Sequence, residues 1–290
     1  MIFCADNGIV EEGVTQTGQE VTATVAENFT KGIATVNSLA QVCQADVMPI
    51  DIGIAGDMTC KGIANRKIAY GTKNFAKEPA MTRTEAEQAI LTGIQLVREK
   101  QEQGYNLIIT GEMGIGNTTT SSAVFSVLSQ ITPELVTGKG AGLSKAGIQR
   151  KIQVIQAAIQ KYQPNPEDVI DVLSKVGGLD ICGMMGAFLG GAIYRVPVLI
   201  DGFISAVAAN CAVHYAPACK PFLYASHCSA EPAGKLALEA LQLHAYLECG
   251  MCLGEGTGAV IGAKLFDFAL AAYTEAASFQ QAQVTPYQPL

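Results

Sequence analysis

The chain has 290 residues, 49% of them hydrophobic and only 16% charged, with a formal net charge of -7. That is enough apolar content for a large buried core. The acidic balance excludes a basic nucleic-acid footprint and leaves room only for a local basic pocket around a phosphate. Few charges on so apolar a chain also predict an apolar homo-oligomer interface.

The opening residues Met1–Asp6 run from apolar residues straight into an acid, with no basic segment of a secretory signal. They predict a buried strand, and Asp46–Gly53 predicts a second. Helical periodicity follows over Thr84–Gln103, with Ala86, Ala89, Ile90, Ile94 and Val97 on one side. Asn106–Gly111 is a third strand and leads into a glycine-rich turn. A helix over Ser144–Tyr162 takes Ser144 as its N-cap, and Gln163–Glu167 breaks the chain as a surface loop. The apolar run Ile181–Tyr194 is too short to cross a bilayer and reads as a buried helix. Strands are predicted at Val196–Gly202 and Pro221–Ser226, then an apolar helix from Ala259 to Ala272. The Gln-rich tail after Phe279 is expected to fray. Strands alternating with helices predict an α/β doubly wound, mainly parallel sheet, with residues 1–290 as one domain. Nine scattered cysteines read as reduced thiols of the cytoplasm.

Three loops carry chemistry. In Gly111-Glu-Met-Gly-Ile-Gly-Asn-Thr-Thr119 a strand ends in a turn whose glycines let the backbone approach a ligand, at a helix start that favours an anion. The spacing approaches a nucleotide P-loop, but Asn117 stands where that loop needs Lys, so a monophosphate fits better than a triphosphate. Glu112 in such a turn suggests a sugar hydroxyl or a cation as its partner. In Leu253-Gly-Glu-Gly-Thr-Gly258, Glu255 sits between two glycines before a helix. It is a general base if partly buried, or a mere helix-dipole cap. Ser226-His-Cys-Ser-Ala-Glu-Pro232 brings Ser229 and Glu231 to the carboxyl edge of the sheet. Asp201 ends another strand, where it either holds a ribose hydroxyl or caps the following helix. Cys249-Gly-Met-Cys252 lacks a second paired set, so no metal site is expected. His214, His227 and His244 form no cluster and read as core or surface residues.

Taken in order, Ala5-Asp6-x-Gly8, Gln19-Glu-Val-Thr22, the 111–119 turn, Gly177-Gly178, Pro197–Phe203, Ser229-Ala-Glu-Pro232 and Leu253–Gly258 resemble the nicotinate-nucleotide:dimethylbenzimidazole phosphoribosyltransferase family. The resemblance implies a Rossmann-like sheet with a small helical lobe from both chain ends, in a homodimer. It implies transfer of ribose 5-phosphate from nicotinate mononucleotide to a benzimidazole-type base for the lower ligand of cobamides, with no metal or organic cofactor. Glu255 then matches the general base. Gln19, Met113 and Leu253 match the base pocket, and Gly114, Gly116, Asn117 and Thr118 the phosphate turn. Glu112, Lys151, Asp201 and Ser229 match positions around the nucleotide. Two alternatives use the same pocket: a nucleotide-binding paralogue or subunit inactive alone, and an N-glycoside hydrolase. There are departures from the family pattern. The family usually opens with a further helical segment carrying Lys-Pro-x-Gly-Ser-Leu-Gly, and its apparent lack predicts an incomplete small lobe. Asn7 stands where the family often has His, and Gly138-Lys-Gly-Ala-Gly142 replaces Gly-Arg-Gly-Thr-Gly.

Overall fold

Strands without polar alternation must be covered on both faces, and the computed structural model, which describes residues 1–288, arranges them so. The elements run β1 (Ile2–Ala5), α1 (Glu20–Lys31), α2 (Thr35–Cys43), β2 (Pro49–Gly53), β3 (Ala64–Asn65), α3 (Arg83–Glu102), β4 (Ile108–Ile109) and β5 (Gly111–Met113). They continue as α4 (Asn117–Ser129), α5 (Pro133–Val136), α6 (Lys145–Tyr162), α7 (Val169–Val176), α8 (Leu179–Tyr194), β6 (Val198–Ile200), α9 (Phe203–Tyr215), β7 (Leu223–Ala225), α10 (Gly234–Leu241) and α11 (Thr257–Glu275). Every strand pairing is parallel.

The strands form two hydrogen-bonded sets, β3-β2-β1-β5 and β4-β6-β7. Only Thr110 separates β4 from β5. Its N–H donates to Leu199 O at 3.2 Å, and the next N–H, of Gly111, donates to Met1 O at 2.9 Å. One strand path therefore changes partners in mid-course and links the two sets. The combined order, β3-β2-β1, then β5 with β4, then β6-β7, reverses direction between β1 and β5. Ligands of such sheets bind beyond the carboxyl ends of the strands at that reversal. Each apolar run that the sequence predicts as a strand contains one, whereas β3 carries no such signal.

Helix boundaries follow local chemistry. Thr82 and Glu85 form a reciprocal capping box at α3, and Ser144 accepts from the Gly147 N–H at α6 as expected. The glycines of α8 have a packing reason: a β-carbon on Gly186 would collide with Ile90 O of α3, so the two helices meet backbone to backbone. Residues 163–167 lie between helices, as the sequence indicated. On the other face, α1, α2 and α11 enclose a smaller apolar cluster of Ala26, Phe29, Val36, Ala40 and Val260 against Ile2, Cys4 and Ile54. Both ends of the chain thus build one helical layer. The second half of α11 and the tail through Gln288 are exposed, and the last two residues of that tail lie outside the described ones. Among the described residues no helix is long and apolar enough to cross a membrane.

Candidate active site

At the strand reversal, β5 passes through Gly114–Gly116 into α4. A β-carbon on Gly114 would collide with Ala5 O at the end of β1, so the turn lies tight on that strand. Gly116 adopts φ +93 as the N-cap of α4, a conformation that favours glycine. The Ile115 N–H donates to Thr22 Oγ1 of α1 at 3.1 Å, and the Asn117 N–H closes onto Gly114 O at 3.1 Å. Beneath the turn, Asn7 donates from Nδ2 to Ile115 O at 3.3 Å. Asp180 lies fully buried there beside the Asn117 side chain, its carboxyl pushed up to about 7 by desolvation.

Lys151 of α6 reaches this turn from behind. Its Nζ donates to Thr118 Oγ1 at 2.7 Å and to Gly138 O at 3.4 Å. Burial lowers its ammonium to about 8, partly offset by Glu231. The divergent segment Gly138–Gly142 lies over these groups. β-Carbons on Gly138 and Gly140 would meet Glu231 and Thr118 respectively, so the changes from the family pattern fall on Lys139 and Ala141, between the close contacts.

The opposite wall comes from Gly254–Gly256. Glu255 is half-buried at φ +63, an unusual conformation for a non-glycine residue. Desolvation raises its carboxyl above the ordinary value, opposed by the Val36 N–H in the first turn of α2. Its Oε2 is sequestered without a hydrogen-bond partner. Glu112 lies against the same loop: a β-carbon on Gly254 would sit 2.6 Å from Glu112 Oε1. Burial first, then the charges of Asp201, Asp180 and Glu255, push Glu112 well above the usual carboxylate range, and its Oε2 also lacks a partner.

These walls enclose a cavity of about 290 Å³. Glu112, Met113, Gly114, Asn117, Thr118, Ser229, Leu253 and Glu255 all line it. Gly116 lines a smaller adjoining cavity that shares Asn117 and Thr118. Lys151 stands behind Thr118. Gln19 is half-buried just before α1 and lines neither cavity; α1 instead contributes Thr22 to the turn. Asp201 also lies behind the wall, with its carboxylate engaged by the backbone at the start of α11. It does not cap the following helix α9, whose first turn instead supplies Ser205 Oγ to accept the Asp201 N–H. His227 belongs to the cavity wall, its ring packed on Gly258. Sequence reasoning missed Phe203 and Ile204 on that wall, and Asp180 beneath the turn. The signal for Asp180 was its place in the first turn of the helix after Gly177-Gly178. Among the described residues no group of His, Cys, Asp and Glu is arranged to hold a metal ion.

Similarity to known proteins extends along the chain. A family model described as phosphoribosyltransferase matches residues 1–284. The nicotinate-nucleotide:dimethylbenzimidazole phosphoribosyltransferases of Ruminiclostridium cellulolyticum and Acetivibrio thermocellus are 50% and 49% identical, over all of this chain and 82% of each relative. The crystal structure of CobT from Thermus thermophilus superposes with a TM-score of 0.93 at 37% identity, covering 98% of this chain and 85% of that one. With half of all positions shared over its whole length, the chain belongs to the nicotinate-nucleotide:dimethylbenzimidazole phosphoribosyltransferase family.

Proposed function

We propose that this chain transfers the ribose 5-phosphate of nicotinate mononucleotide to a benzimidazole-type base. The products are nicotinate and an α-ribazole 5′-phosphate for the lower ligand of cobamides. One observation carries this reading: a partly desolvated carboxylate, Glu255, faces the same cavity as Thr118 at the start of α4, with the Lys151 ammonium hydrogen-bonded behind it. A general base and a phosphate anchor are what this transfer needs.

The 5′-phosphate takes the start of α4, where the helix dipole, Thr118 with Lys151 behind it, and Ser229 favour an anion. The accepting base lies between Met113 and Leu253 beside Glu255. Its unprotonated ring nitrogen attacks the anomeric carbon opposite the nicotinate, and the bond to the pyridinium nitrogen breaks with inversion. The departing ring is cationic before it leaves, so it takes the bonding pair without needing an acid. The ring N–H proton of the acceptor passes to Glu255. Most of the acceleration then comes from holding the two rings and the ribose in line. Glu112, whose carboxyl is pushed up by burial and by the charges of Asp201, Asp180 and Glu255, lines the same cavity and holds a ribose hydroxyl. We place the enzyme in the cytoplasm; the exposed apolar residues of α11 support a homodimer.

The test is a product assay with nicotinate mononucleotide, a panel of benzimidazoles, purines and phenols, and a control without base. The expected result is nicotinate release that depends on the base and is matched by α-riboside phosphate. Equal release without base would make the protein a hydrolase. Binding without turnover of any base would make it a nucleotide-binding paralogue.

A further inference from the structure

Helix α11 begins without a side-chain cap of its own. Its N-cap is Gly256 at φ +87, followed by Thr257 and Gly258. Small residues are required there: Gly256 packs on Gly111, and a β-carbon on Gly258 would strike the His227 ring. A helix start left this bare has unsatisfied N–H groups. The Thr257 N–H turns back onto Gly254 O at 3.1 Å, while those of Gly256 and Ala259 are satisfied from outside the segment. Asp201, at the end of β6, accepts from the Gly256 N–H through Oδ2 at 3.1 Å and from the Ala259 N–H through Oδ1 at 2.9 Å.

Asp201 is itself fixed. Its N–H donates to Ser205 Oγ at 3.1 Å, and Ser205 Oγ shares a hydrogen bond of 2.7 Å with Thr110 Oγ1. Thr110 Oγ1 also contacts Leu199 O at 2.8 Å, and it is the residue at which the sheet path changes partners. A continuous chain of short contacts therefore runs from the strand break to the peptide that follows Glu255. Asp201 is only 2% exposed, and both its oxygens are occupied. It does not line the cavity, so it is not placed to meet a ribose hydroxyl there.

We infer that Asp201 is the positioning residue of the active site: it clamps the peptide after Glu255 and so holds the strained Glu255 backbone where its carboxylate meets the acceptor base. This rests on Glu255 being the base. The clamp acts on geometry alone, so its loss should lower turnover and leave nucleotide affinity intact.

The test compares Asp201→Asn, Ser205→Ala and Glu255→Gln with the parent enzyme, measuring kcat, KM for base and nucleotide, and calorimetric affinity for nicotinate mononucleotide. An Asn amide must point its NH2 at one of the two N–H donors, so one clamp is lost. The expected fall in kcat for Asp201→Asn is on the order of 10–100-fold, the range that a displacement of about 1 Å produces. Nucleotide affinity should stay within about twofold of the parent value, whereas loss of a direct charged contact would weaken it about tenfold or more. Ser205→Ala, a milder change, should lower kcat in the same direction, with affinity again unchanged. Loss of nucleotide affinity in Asp201→Asn with kcat retained would overturn the proposal and return Asp201 to the ribose. Wild-type kcat in Asp201→Asn alongside an inactive Glu255→Gln would also overturn it, leaving the base assignment standing. A fully active Glu255→Gln would instead overturn the base assignment itself, and with it the clamp's purpose. If Asp201→Asn does not fold, Ser205→Ala decides, and an unchanged kcat there overturns the clamp.

Discussion

Lys151 Nζ donates to Thr118 Oγ1 at 2.7 Å from a side chain with no exposed surface. A buried ammonium without a direct carboxylate contact is costly, and here it stands behind the turn where α4 begins. Lys151→Met keeps the side-chain length and removes the charge. Affinity for nicotinate mononucleotide should fall about 10–150-fold, corresponding to about 1.5–3 kcal/mol for a charged hydrogen bond. The parent enzyme should show the same dependence on pH. Burial lowers Lys151 to about 8, so the charge is present below that pH and is lost as pH rises through it. Calorimetry at pH 7 and 9 should find weaker binding at the higher value, up to about tenfold per unit above the pKa. Flat affinity across that range would place the phosphate elsewhere.

In the proposed transfer Glu255 acts as its carboxylate, and desolvation raises its pKa above the ordinary 4.5. Turnover should therefore fall as pH drops through this raised value, giving an acid limb displaced upward from that of a free glutamate. Glu255→Gln should lose about 10²–10⁴-fold in kcat and flatten the limb. The same shift has a sign for stability. A carboxyl raised on folding favours the folded state at low pH and costs stability above its folded pKa, where it must carry a desolvated charge. The Gln variant should melt at or above the parent temperature at neutral pH. Calorimetric melting that shows clear destabilisation would mean that the charge supports the loop.

How much of this was legible in the sequence depends on how local its cause is. The principal strands are short buried apolar runs, readable from their own residues. β3 was not, because Ala64–Asn65 is only two residues long and borrows its order from β2. Glu112 and Ser229 were legible because they lie at or just after strand ends in an alternating pattern, and Glu255 because glycines flank it just before a helix. The partners of Asp201 were not, lying 55 and 58 residues away in the chain. The sequence pattern assigns the glycines of the 111–119 turn to a ligand's approach. Gly111, Gly114 and Gly116 also have close protein neighbours that the sequence did not reveal: β-carbons there would meet Glu255 O, Ala5 O and Val10 Cγ2.

The close approach at Gly111 makes Gly111→Ala informative. The added β-carbon would lie 2.6 Å from Glu255 O and 2.7 Å from Gly256 N. Both are backbone atoms of the loop that Asp201 holds, so the strain cannot be relieved by a side-chain rotation. Overpacking of this kind costs about 1–3 kcal/mol. Urea denaturation should show that loss. At concentrations where the variant is folded, kcat should fall more than nucleotide affinity, since the displaced atoms adjoin Glu255, the proposed base, and not the start of α4. Parent-like stability and turnover would show that the loop moves freely.

The exposed second half of α11 yields the last prediction. Phe268, Leu270 and Tyr273 are 62%, 58% and 88% exposed, on a helix whose first half packs against the body of the protein. Fully burying a large apolar side chain contributes about 1.5–3 kcal/mol, so three on one short segment provide a strong drive to associate. The expected assembly is a closed two-fold dimer in which this segment faces its partner, the commonest symmetric solution. Light scattering on the parent chain should give the mass of two copies. Phe268→Glu with Tyr273→Glu should weaken association by at least on the order of 10²–10⁴-fold, the equivalent of losing two such burials, and by more where both copies bury these residues. Neither residue lines the cavity, so the variant should keep its affinity for nicotinate mononucleotide. A parent chain that stays monomeric at high protein concentration would reject the dimer. A doubly substituted chain that remains dimeric would move the interface away from α11.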